Sequence, residues 1–389
     1  MEFMSDDMQS QSGVSWRKVE TPHADAWVAW DGQEGTDYSY GGTRLVPFDV
    51  SDEDAVQILA RLAIDESQLK NKLINLAVEE GILEPFESRL PAGFIAARVG
   101  GGRCVMRPRT EQDAEILADP AHPKFSGTIE PVFEGIGQLL NSLDGRVKLT
   151  PDFGRFAGLA DVLYRYTPHV LGVGRGVGGC GGKSSYSTTG VIAAFEQVKP
   201  DFAGPLTLLG SLGAMGGEFF DYLRNARFQD VAVGDIAYPE GTETIDGYPV
   251  VATEFGTYTA ETLLRGGAIV TNTWGNELTN VDLDHLRPGT KLLLAHNHSV
   301  PGGPAGLELM RAVADRDVLA LPGQVLTLGG ALTSRIEWFS RQADSGQLFD
   351  KPLAHDVVRA VVRYWVSRCV DSAGQNRLTP YEVMLQSVD

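Results

Sequence analysis

The sequence predicts an α/β protein of two domains, one of which is built on a doubly wound parallel sheet. From Pro205 onward, short apolar runs alternate with stretches of helical spacing, and this rhythm is typical of βαβ units whose parallel strands share one sheet. The chain has 389 residues, which is enough for two domains that each bury a full core.

The first βαβ unit contains a glycine-rich turn. An apolar run over 206–209 predicts a buried strand, Ser211-x-Gly213-x-x-Gly216 predicts a tight turn, and helical spacing follows over 218–225. Glycines at such a turn let the backbone approach a pyrophosphate, and the helix N-terminus offers free N–H groups to it. The first glycine of the usual dinucleotide fingerprint is missing, so an ordinary buried turn is the alternative.

A second apolar run over 231–233 leads to Asp235, nineteen residues after Gly216. Dinucleotide-binding domains keep near this position the acid that holds the ribose hydroxyls of adenosine. We therefore expect a Rossmann-type domain. A carboxylate at Asp235 would repel a 2′-phosphate, which favours NAD over NADP, although a nearby Arg224 or Arg227 would weaken that preference.

The remaining elements follow from apolar spacing and turn residues. In the first half we expect an unpatterned arm over 1–25, followed by strands over 27–30 and after Tyr40. A helix over 52–73 should be capped by Ser51 and end near Lys70, and a helical piece should follow within 73–92. We then expect a strand over 93–106 and helices over 133–143 and 159–166. In the second half we expect a helix over 190–198, strands at 205–209, 231, 250, 268–271, 291–295 and 318–321, and an amphipathic helix over 355–370.

The glycine-rich stretch 172–182 cannot support a helix or strand interior, so we expect a mobile or ligand-facing loop. Its end, Gly182-Lys183-Ser184, invites comparison with the phosphate loop of nucleotide hydrolases. That motif needs a glycine at position 177, which is valine. A hydrolase would also depend on magnesium and ATP.

Composition excludes several classes of partner. The net charge is −18 and there is no basic cluster, which argues against nucleic acid. No apolar run is long enough to span a bilayer, and the N-terminus is acidic and polar, so we expect a cytoplasmic protein without a membrane partner. The three cysteines are scattered, so we expect neither a disulfide framework nor a metal site.

Several motifs, in their order and spacing, resemble those of the Glu/Leu/Phe/Val dehydrogenase family, and in particular its shorter leucine- and phenylalanine-dehydrogenase-like branch. They extend over nearly the full chain: Tyr40-Gly-Gly-Thr-Arg44, Gly100-Gly-Gly-Arg103, Thr150-Pro-Asp152, Ser187 near the start of a helix, Ala295-His-Asn297 and Leu328-Gly-Gly330.

In that family an N-terminal domain binds an amino acid, a second domain binds NAD(P), and hydride passes between the nicotinamide and the Cα atom. One lysine binds the substrate carboxylate, and a second lysine acts through water as general base with the help of an aspartate. The resemblance implies a substrate domain over 1–188, with the segment 350–389 packing back on it, and a dinucleotide domain over 189–349. It also implies a small-molecule substrate and a homo-oligomer, a dimer or larger.

The resemblance implies three sets of site residues. The expected catalytic residues are Arg103, Asp152, Lys70 and Asn297. The expected substrate-binding residues are Arg44, Gly42, Lys70 and Thr327, with Arg44, Lys70 and Arg103 forming a cationic wall. The expected cofactor-binding residues are Ser187, Ser211, Leu212, Gly213, Ala214, Met215, Gly216, Asp235, Ile236 and Asn297. A structural helix cap is the alternative role for Asp152.

The chain departs from the family at three positions. Arg103 stands where the general-base lysine is expected, and arginine can hold a carboxylate bidentately but stays protonated at any relevant pH. Without a gap, Pro91 falls at the position of the carboxylate-binding lysine, whereas Lys70 matches it if 73–92 is an insertion, which we prefer. Thr327 replaces an asparagine.

Three hypotheses follow from these departures. In the first, hydride transfer persists on a C–N centre that needs no imine hydrolysis, such as a C=N bond in specialised metabolism. His296 or His298 would then supply the proton, and the alternative is that both histidines are structural. Alternatively, amino-acid deamination persists with a rearranged base such as Lys183. In the third, the chain is a catalytically silent dinucleotide-binding relative with a binding or regulatory role.

Overall fold

The structure is a computed structural model that describes residues 13–153, 158–199, 204–273, 275, 277–279, 281–296, 300–342, 348–376 and 378–388. The chain forms two compact units. The first comprises residues 1–78, 86–182 and 333–351, and the second comprises 79–85, 183–332 and 352–389. The main division thus falls between Gly182 and Lys183, whereas the family resemblance placed it after residue 188.

The first unit is built on a mixed five-stranded sheet. Its strands are β1 (Val14–Glu20), β2 (Ala24–Asp31), β3 (Tyr38–Leu45), β4 (Val99–Pro108) and β5 (Val147–Thr150), in spatial order β1-β2-β4-β3-β5. β2 pairs antiparallel with β1 and β4, and β3 pairs parallel with β4 and β5. The expectation of an unpatterned arm over 1–25 was wrong for β1, because most side chains of this edge strand are only half-buried and give no clean alternation.

Helices cover both faces of this sheet. They are α1 (Asp52–Leu62), α2 (Leu69–Glu79), α3 (Glu111–Ala118), α4 (Phe125–Ser142) and α5 (Leu159–Tyr164). α1 packs on the face that carries Trp27 and Val105, whereas α3, α4 and α5 pack on the face that carries Val28 and Met106. Because side chains alternate along a strand, Arg103 in β4 lies on the face that α1 covers.

A turn of π-helix, Ala63–Gln68, joins α1 to α2, so helical chain continues from Asp52 to Glu79. Ser51 caps its start by accepting a hydrogen bond from the N–H of Asp54 (3.0 Å), which confirms the predicted cap. The predicted end near Lys70 was wrong. Beyond it the buried stripe continues through Leu73, Ile74 and Ala77, which favours further helix.

The second unit is built on five parallel strands. The strands of this sheet are β6 (Leu206–Leu209), β7 (Val231–Gly234), β10 (Ala268–Thr271), β11 (Lys291–Leu294) and β12 (Leu319–Leu321). Two further strands of two residues each, β8 (Thr244–Ile245) and β9 (Tyr248–Pro249), pair with one another. The main sheet has the order β12-β11-β10-β6-β7 with every pairing parallel, which confirms the predicted doubly wound sheet. The strand predicted at Val250 is reduced to a single bridge to Val233.

The helices of this unit are α6 (Ser184–Val198), α7 (Ala214–Asn225), α8 (Ala260–Arg265), α9 (Pro304–Ala314), α10 (Gly323–Leu326), the start of α11 (Leu328–Gln342), α12 (Lys351–Asn376) and α13 (Pro380–Val388). From Pro352 on, the C-terminal segment groups with this unit, whereas we expected it on the substrate side. The reason is α6: His355 of α12 stacks on Tyr186, with ring centroids 4.6 Å apart, and its Nδ1 lies 2.7 Å from Oγ1 of Thr189.

The glycine-rich stretch 172–182 folds around a buried carboxylate of the first unit. Glu337 of α11 is fully buried and accepts hydrogen bonds of 3.0–3.3 Å from the N–H groups of Gly172, Val173 and Cys180. Nη1 of Arg341 lies 3.3 Å from Oε1 of Glu337. The expectation of a mobile or ligand-facing loop is therefore corrected: these N–H groups already bind an internal anion.

A lysine is also buried in the first unit. Lys148 of β5 is 4% exposed, and its Nζ lies 4.0 Å from the ring centre of Tyr38 and 4.1 Å from that of Trp338. The ammonium donates to the carbonyl oxygen of Gly145 (2.8 Å). Burial lowers the pKa of Lys148 to about 7, although both ring faces favour the charged form.

Candidate functional site

A charged cluster lies in the first unit, on the sheet face that α1 covers. Arg103 stands within β4 with 5% of its surface exposed, and its Nη1 lies 3.3 Å from Oε1 of Glu66. The Nε atom of Arg103 is buried and has no hydrogen-bond partner among the described residues. A buried ion pair is a weak source of stability, because removing two charges from water costs about as much free energy as their attraction returns.

Asp152 reaches this cluster from the end of β5. Its Oδ1 accepts a hydrogen bond from the N–H of Thr43 (2.8 Å), and the residue itself is exposed. A Cβ atom at Gly42 would lie 2.4 Å from that oxygen, so the carboxylate fits only because residue 42 is glycine. The structure thus brings Gly42 and Asp152 together, two of the residues the motifs singled out.

The charges of the cluster act on one another. Burial alone would lower the pKa of Arg103, but the carboxylates of Glu66 and Asp152 outweigh burial, so this pKa is raised. Burial lowers the pKa of Arg44, and the positive charge of Arg103 lowers it further. The carboxylates of Glu66 and Asp152 act in the opposite direction but do not outweigh these two effects. Two guanidiniums and two carboxylates therefore share one neighbourhood, where an anionic ligand would relieve the repulsion between the arginines.

The π-helical turn brings Glu66 to Arg103. A Cβ atom at Gly101 would lie 2.5 Å from the carbonyl oxygen of Ala63 and 2.6 Å from Cβ of Gln68, so the glycine of β4 admits this turn. We expected a strand over 93–106, but β4 begins at Val99, and the glycines 100–102 lie inside it. Single π-turns within helices are frequent at functional sites. Sequence reasoning missed Glu66, for which the glycines were the only signal.

Lys70 is the second residue of α2 and is half-buried. The next residue, Asn71, is buried and donates from Nδ2 to the carbonyl oxygens of Gly100 (2.8 Å) and Tyr40 (3.3 Å). Asn71 thus joins the helix to the glycine-bearing strands β3 and β4. Pro91 lies outside any helix or strand, and the choice between Lys70 and Pro91 stays a prediction.

The glycine-rich turn of the second unit connects β6 to α7. Gly210 adopts a positive φ of 76°, and a Cβ atom there would lie 2.2 Å from the carbonyl oxygen of Asn272. A Cβ atom at Gly216 would lie 1.9 Å from the carbonyl oxygen of Gly210, and Gly213 is the N-cap of α7. Gly210 therefore makes the tight turn for which the sequence seemed to lack a glycine, while Ser211 lies buried beside it.

Asp235 follows β7 and faces this turn. Its Oδ2 accepts from the N–H of Leu212 (2.8 Å), and its Oδ1 accepts from the N–H of Ala237 (2.9 Å). Leu212 and Ile236 are large apolar residues that are more than half exposed, at 56% and 58%. The carboxylate of Asp235 thus bonds to the glycine-rich turn, and an exposed apolar side chain lies on each of the two segments. Ala214 and Met215 begin α7.

Asn272 is a further polar residue at this place that sequence reasoning missed. It follows β10, and its backbone N–H donates to Leu209 at the end of the neighbouring strand β6 (3.0 Å). Both polar atoms of its side-chain amide are buried with no hydrogen-bond partner in the part of the chain that the structure describes. The order of the strands reverses between β6 and β10, and doubly wound sheets bind ligands at such a switch point.

The remaining expected site residues lie in the second unit. Ser187 is buried in the first turns of α6, and its Oγ is 3.3 Å from the place of a Cβ atom on Gly330. Thr327 is buried, and its hydroxyl donates to the carbonyl oxygen of Gly323 (2.6 Å). Asn297 and His298 lie outside the described residues.

Within the described ranges, no group of three or more His, Cys, Asp or Glu side chains is arranged to hold a metal ion. Among the helices described, none is both long and apolar enough to cross a membrane.

Comparisons with known proteins identify the fold. No protein-family model and no curated protein matches the chain. Among solved structures, an L-tryptophan dehydrogenase from Nostoc punctiforme covers 97% of this chain and 95% of its own, with 15% identity and a TM-score of 0.64. A leucine-bound hetero-hexameric glutamate dehydrogenase from Thermus thermophilus covers 96% and 86%, with 14% identity and a TM-score of 0.64.

A glutamate dehydrogenase from Peptoniphilus asaccharolyticus gives a similar result, with 14% identity, coverage of 96% and 88%, and a TM-score of 0.60. At these identities the likeness shows the fold, which is that of amino-acid dehydrogenases over nearly the whole chain. The specific resemblance to the leucine and phenylalanine branch stays a prediction.

Proposed function

We propose that the chain is an NAD-dependent oxidoreductase that transfers hydride to or from a carbon–nitrogen centre of a small substrate bearing a carboxylate. The observation that carries this proposal is the turn from Gly210 to Gly216 with Asp235 facing it, at the switch point of a parallel sheet. The amino-acid dehydrogenase fold supports a substrate with a C–N bond.

In this proposal the start of α7 binds the cofactor. The N–H groups of Ala214 and Met215 in the first turn of α7 would offer a positive dipole end to the pyrophosphate, whereas the N–H of Gly213 donates to the carbonyl oxygen of Gly210 (3.1 Å). Asp235 accepts from the adenosine ribose hydroxyls, while Leu212 and Ile236 flank the adenine. The bound dinucleotide would donate or accept the hydride.

The choice of NAD over NADP rests on charge. Asp235 would repel a 2′-phosphate, and Arg224, one of the two arginines that could accommodate that group, pairs with another carboxylate. Its Nη1 lies 3.0 Å from Oδ2 of Asp246. We infer that NAD is the cofactor.

The charged cluster of the first unit would bind the substrate. Arg44 and Arg103 would hold its carboxylate, with Lys70 as a further cation, and Asp152 would hold the amine or iminium nitrogen. Because Arg103 cannot act as the base for imine hydration, the proposal favours reduction of a C=N bond: the carbon gains hydride, the nitrogen gains a proton, and no water is needed. Thr327, Ser187 and Asn297 are proposed to lie near the nicotinamide.

NADH absorbance, followed in both directions, tests the proposal. We expect turnover with NADH and preformed cyclic imino acids, and much slower turnover with amino acids and NAD. Efficient deamination of ordinary amino acids would instead indicate another base, such as Lys183. Tight NADH binding without turnover on any amine, imine or 2-oxo acid would contradict the proposal and indicate a binding-only protein.

A further inference from the structure

We infer that Glu66 determines substrate specificity: it makes the charged cluster select ligands that carry a carboxylate together with a positively charged nitrogen, and disfavours ligands that carry a carboxylate alone. The inference rests on the proposed function, because it concerns the same site. It adds a residue that no motif of the sequence singled out.

The position of Glu66 supports this role. The π-helical turn holds it against β4, its side chain is 13% exposed, and its Oε1 lies 3.3 Å from Nη1 of Arg103. Arg103 is thereby held at one end of its guanidinium. Its buried Nε, for which the described residues offer no acceptor, is left for a ligand.

The balance of charge supports it as well. Arg44 and Arg103 contribute two positive charges, which the negative charges of Glu66 and Asp152 offset, while Arg61 adds a smaller positive influence on Arg44. A carboxylate that draws Arg103 toward itself weakens the pair with Glu66 and so removes part of the positive charge that compensates Glu66. An ammonium or iminium group on the same ligand restores that compensation, whereas a simple carboxylate cannot.

Glu66→Gln tests the inference because it removes the charge and keeps the shape. The probes are two pairs that differ only in the amino group: leucine with 4-methylpentanoate, and phenylalanine with 3-phenylpropanoate. Calorimetric titration of the whole protein, with and without NADH, gives the ratio of the two dissociation constants in each pair. We expect the wild type to prefer the amino acid, and Glu66→Gln to lose roughly tenfold or more of that preference.

The matched control is Glu130→Gln, since Glu130 also pairs with an arginine, Arg165, at 3.2 Å, but on the surface. We expect it to leave the ratio unchanged, and Glu66→Asp, which keeps the charge, to retain most of the preference. An unchanged ratio in Glu66→Gln would overturn the inference, and so would a wild type that binds none of the probes or prefers the simple carboxylates.

A second variant keeps the inference testable if Glu66→Gln folds poorly. Glu66→Gln/Arg103→Met removes both charges of the buried pair together, a change that proteins tolerate better than loss of one partner. We expect this variant to show no preference within a probe pair, and a preference that persists would overturn the inference. Failure of the proposed function is a separate result: the wild type would then show the binding preference without oxidising or reducing any substrate.

Discussion

Asp152 is the residue at which a catalytic role and a structural role make different predictions. Its Oδ1 accepts a hydrogen bond from the N–H of Thr43, as a structural turn would require. Its negative charge also raises the pKa of Arg44 and of Arg103 relative to burial alone. Asparagine can keep the hydrogen bond but not the charge. The two roles are therefore separable by a single substitution.

We expect Asp152→Asn to lower turnover by about 100-fold or more, while the melting temperature changes little. The control is Asp161→Asn, because Oδ1 of Asp161 also accepts one backbone N–H, that of Gly174, at 2.6 Å. Steady-state NADH oxidation and thermal unfolding of both variants give the comparison. Equal activities in the two variants would reduce Asp152 to a structural turn residue.

Cofactor choice is a second prediction at the scale of one residue. Asp235→Asn removes the negative charge and one of the two acceptors that hold Leu212 and Ala237. We expect NADH to bind about tenfold more weakly, and its advantage over NADPH to shrink by a similar factor. Fluorescence titration with both nucleotides measures this change.

The control for Asp235→Asn is Asp282→Asn, since Asp282 makes the same kind of turn by accepting the N–H two residues later, that of Asp284 (3.0 Å). It should leave both affinities unchanged. If Asp235→Asn itself left the preference for NADH intact, Asp235 would not be the residue that excludes the 2′-phosphate.

The sequence was sufficient to predict those arrangements that a local motif determines. The turn around Gly213 and Gly216, with Asp235 after the next strand, could be predicted because a short segment of chain determines it. Glu66 and Asn272 could not be predicted, because each becomes notable only through its contact with a strand that is distant in sequence. The first meets Arg103 only through a π-turn, and the second lies beside β6 only once β10 has paired with it.

At the scale of elements, the glycine-rich stretch 172–182 shows how composition misleads. Its glycines indicated a free loop, but three of its N–H groups surround the carboxylate of Glu337. Helix ends were mispredicted for a related reason. The buried residues of α2 continue past Lys70 through Leu73, Ile74 and Ala77, so the helix continues as well.

We expect Glu337→Ala to lower the free energy of unfolding by about 3–5 kcal/mol, because it leaves Arg341 and several buried N–H groups without their anion. Urea unfolding measures the loss, and added phosphate should recover part of it by occupying the vacated N–H groups. As a control, Glu196→Ala breaks an exposed pair with Arg363 and an exposed hydrogen bond from the Tyr222 hydroxyl (3.3 Å), and it should cost about 1 kcal/mol or less. A comparable loss in both variants would contradict this account.

At the scale of the whole molecule, Lys148 makes stability depend on pH. Its pKa is about 7 in the folded protein and has the ordinary value of 10.5 in the unfolded chain. Below pH 7 both states bind the proton, and the folded state carries the full cost of a buried ammonium. Between pH 7 and 10.5 the unfolded state binds more protons, so stability rises with pH.

Two neighbouring groups set the limits of that rise. Burial, and then the charge of Lys148, lower the pKa of His169, so His169 also favours the folded state as pH increases toward 6.5. Burial raises the pKa of Tyr38, so its ionisation in the unfolded chain reduces stability above pH 10. The contribution of this group of residues should therefore be greatest between about pH 9 and 10.

We expect Lys148→Met to flatten the increase in unfolding free energy between pH 7 and 10, measured by urea unfolding at each pH. Lys199→Met is the matched control, because the exposed Lys199 also lies over an aromatic ring, that of Phe228, at 4.4 Å. It should leave the slope as in the wild type. A wild type whose stability does not rise over this range would show that the folded protein keeps Lys148 charged.

The pairing of Glu337 with the glycine-rich stretch also has a consequence for synthesis on the ribosome. Gly172 and Glu337 are 165 residues apart, and the whole sheet of the second unit is encoded between them. At about 5–20 residues per second, on the order of 10–30 s pass between the synthesis of the glycine-rich stretch and the synthesis of Glu337. The earliest part of the chain therefore completes its fold only after the later sheet has emerged, and in that interval its backbone depends on water for hydrogen bonds.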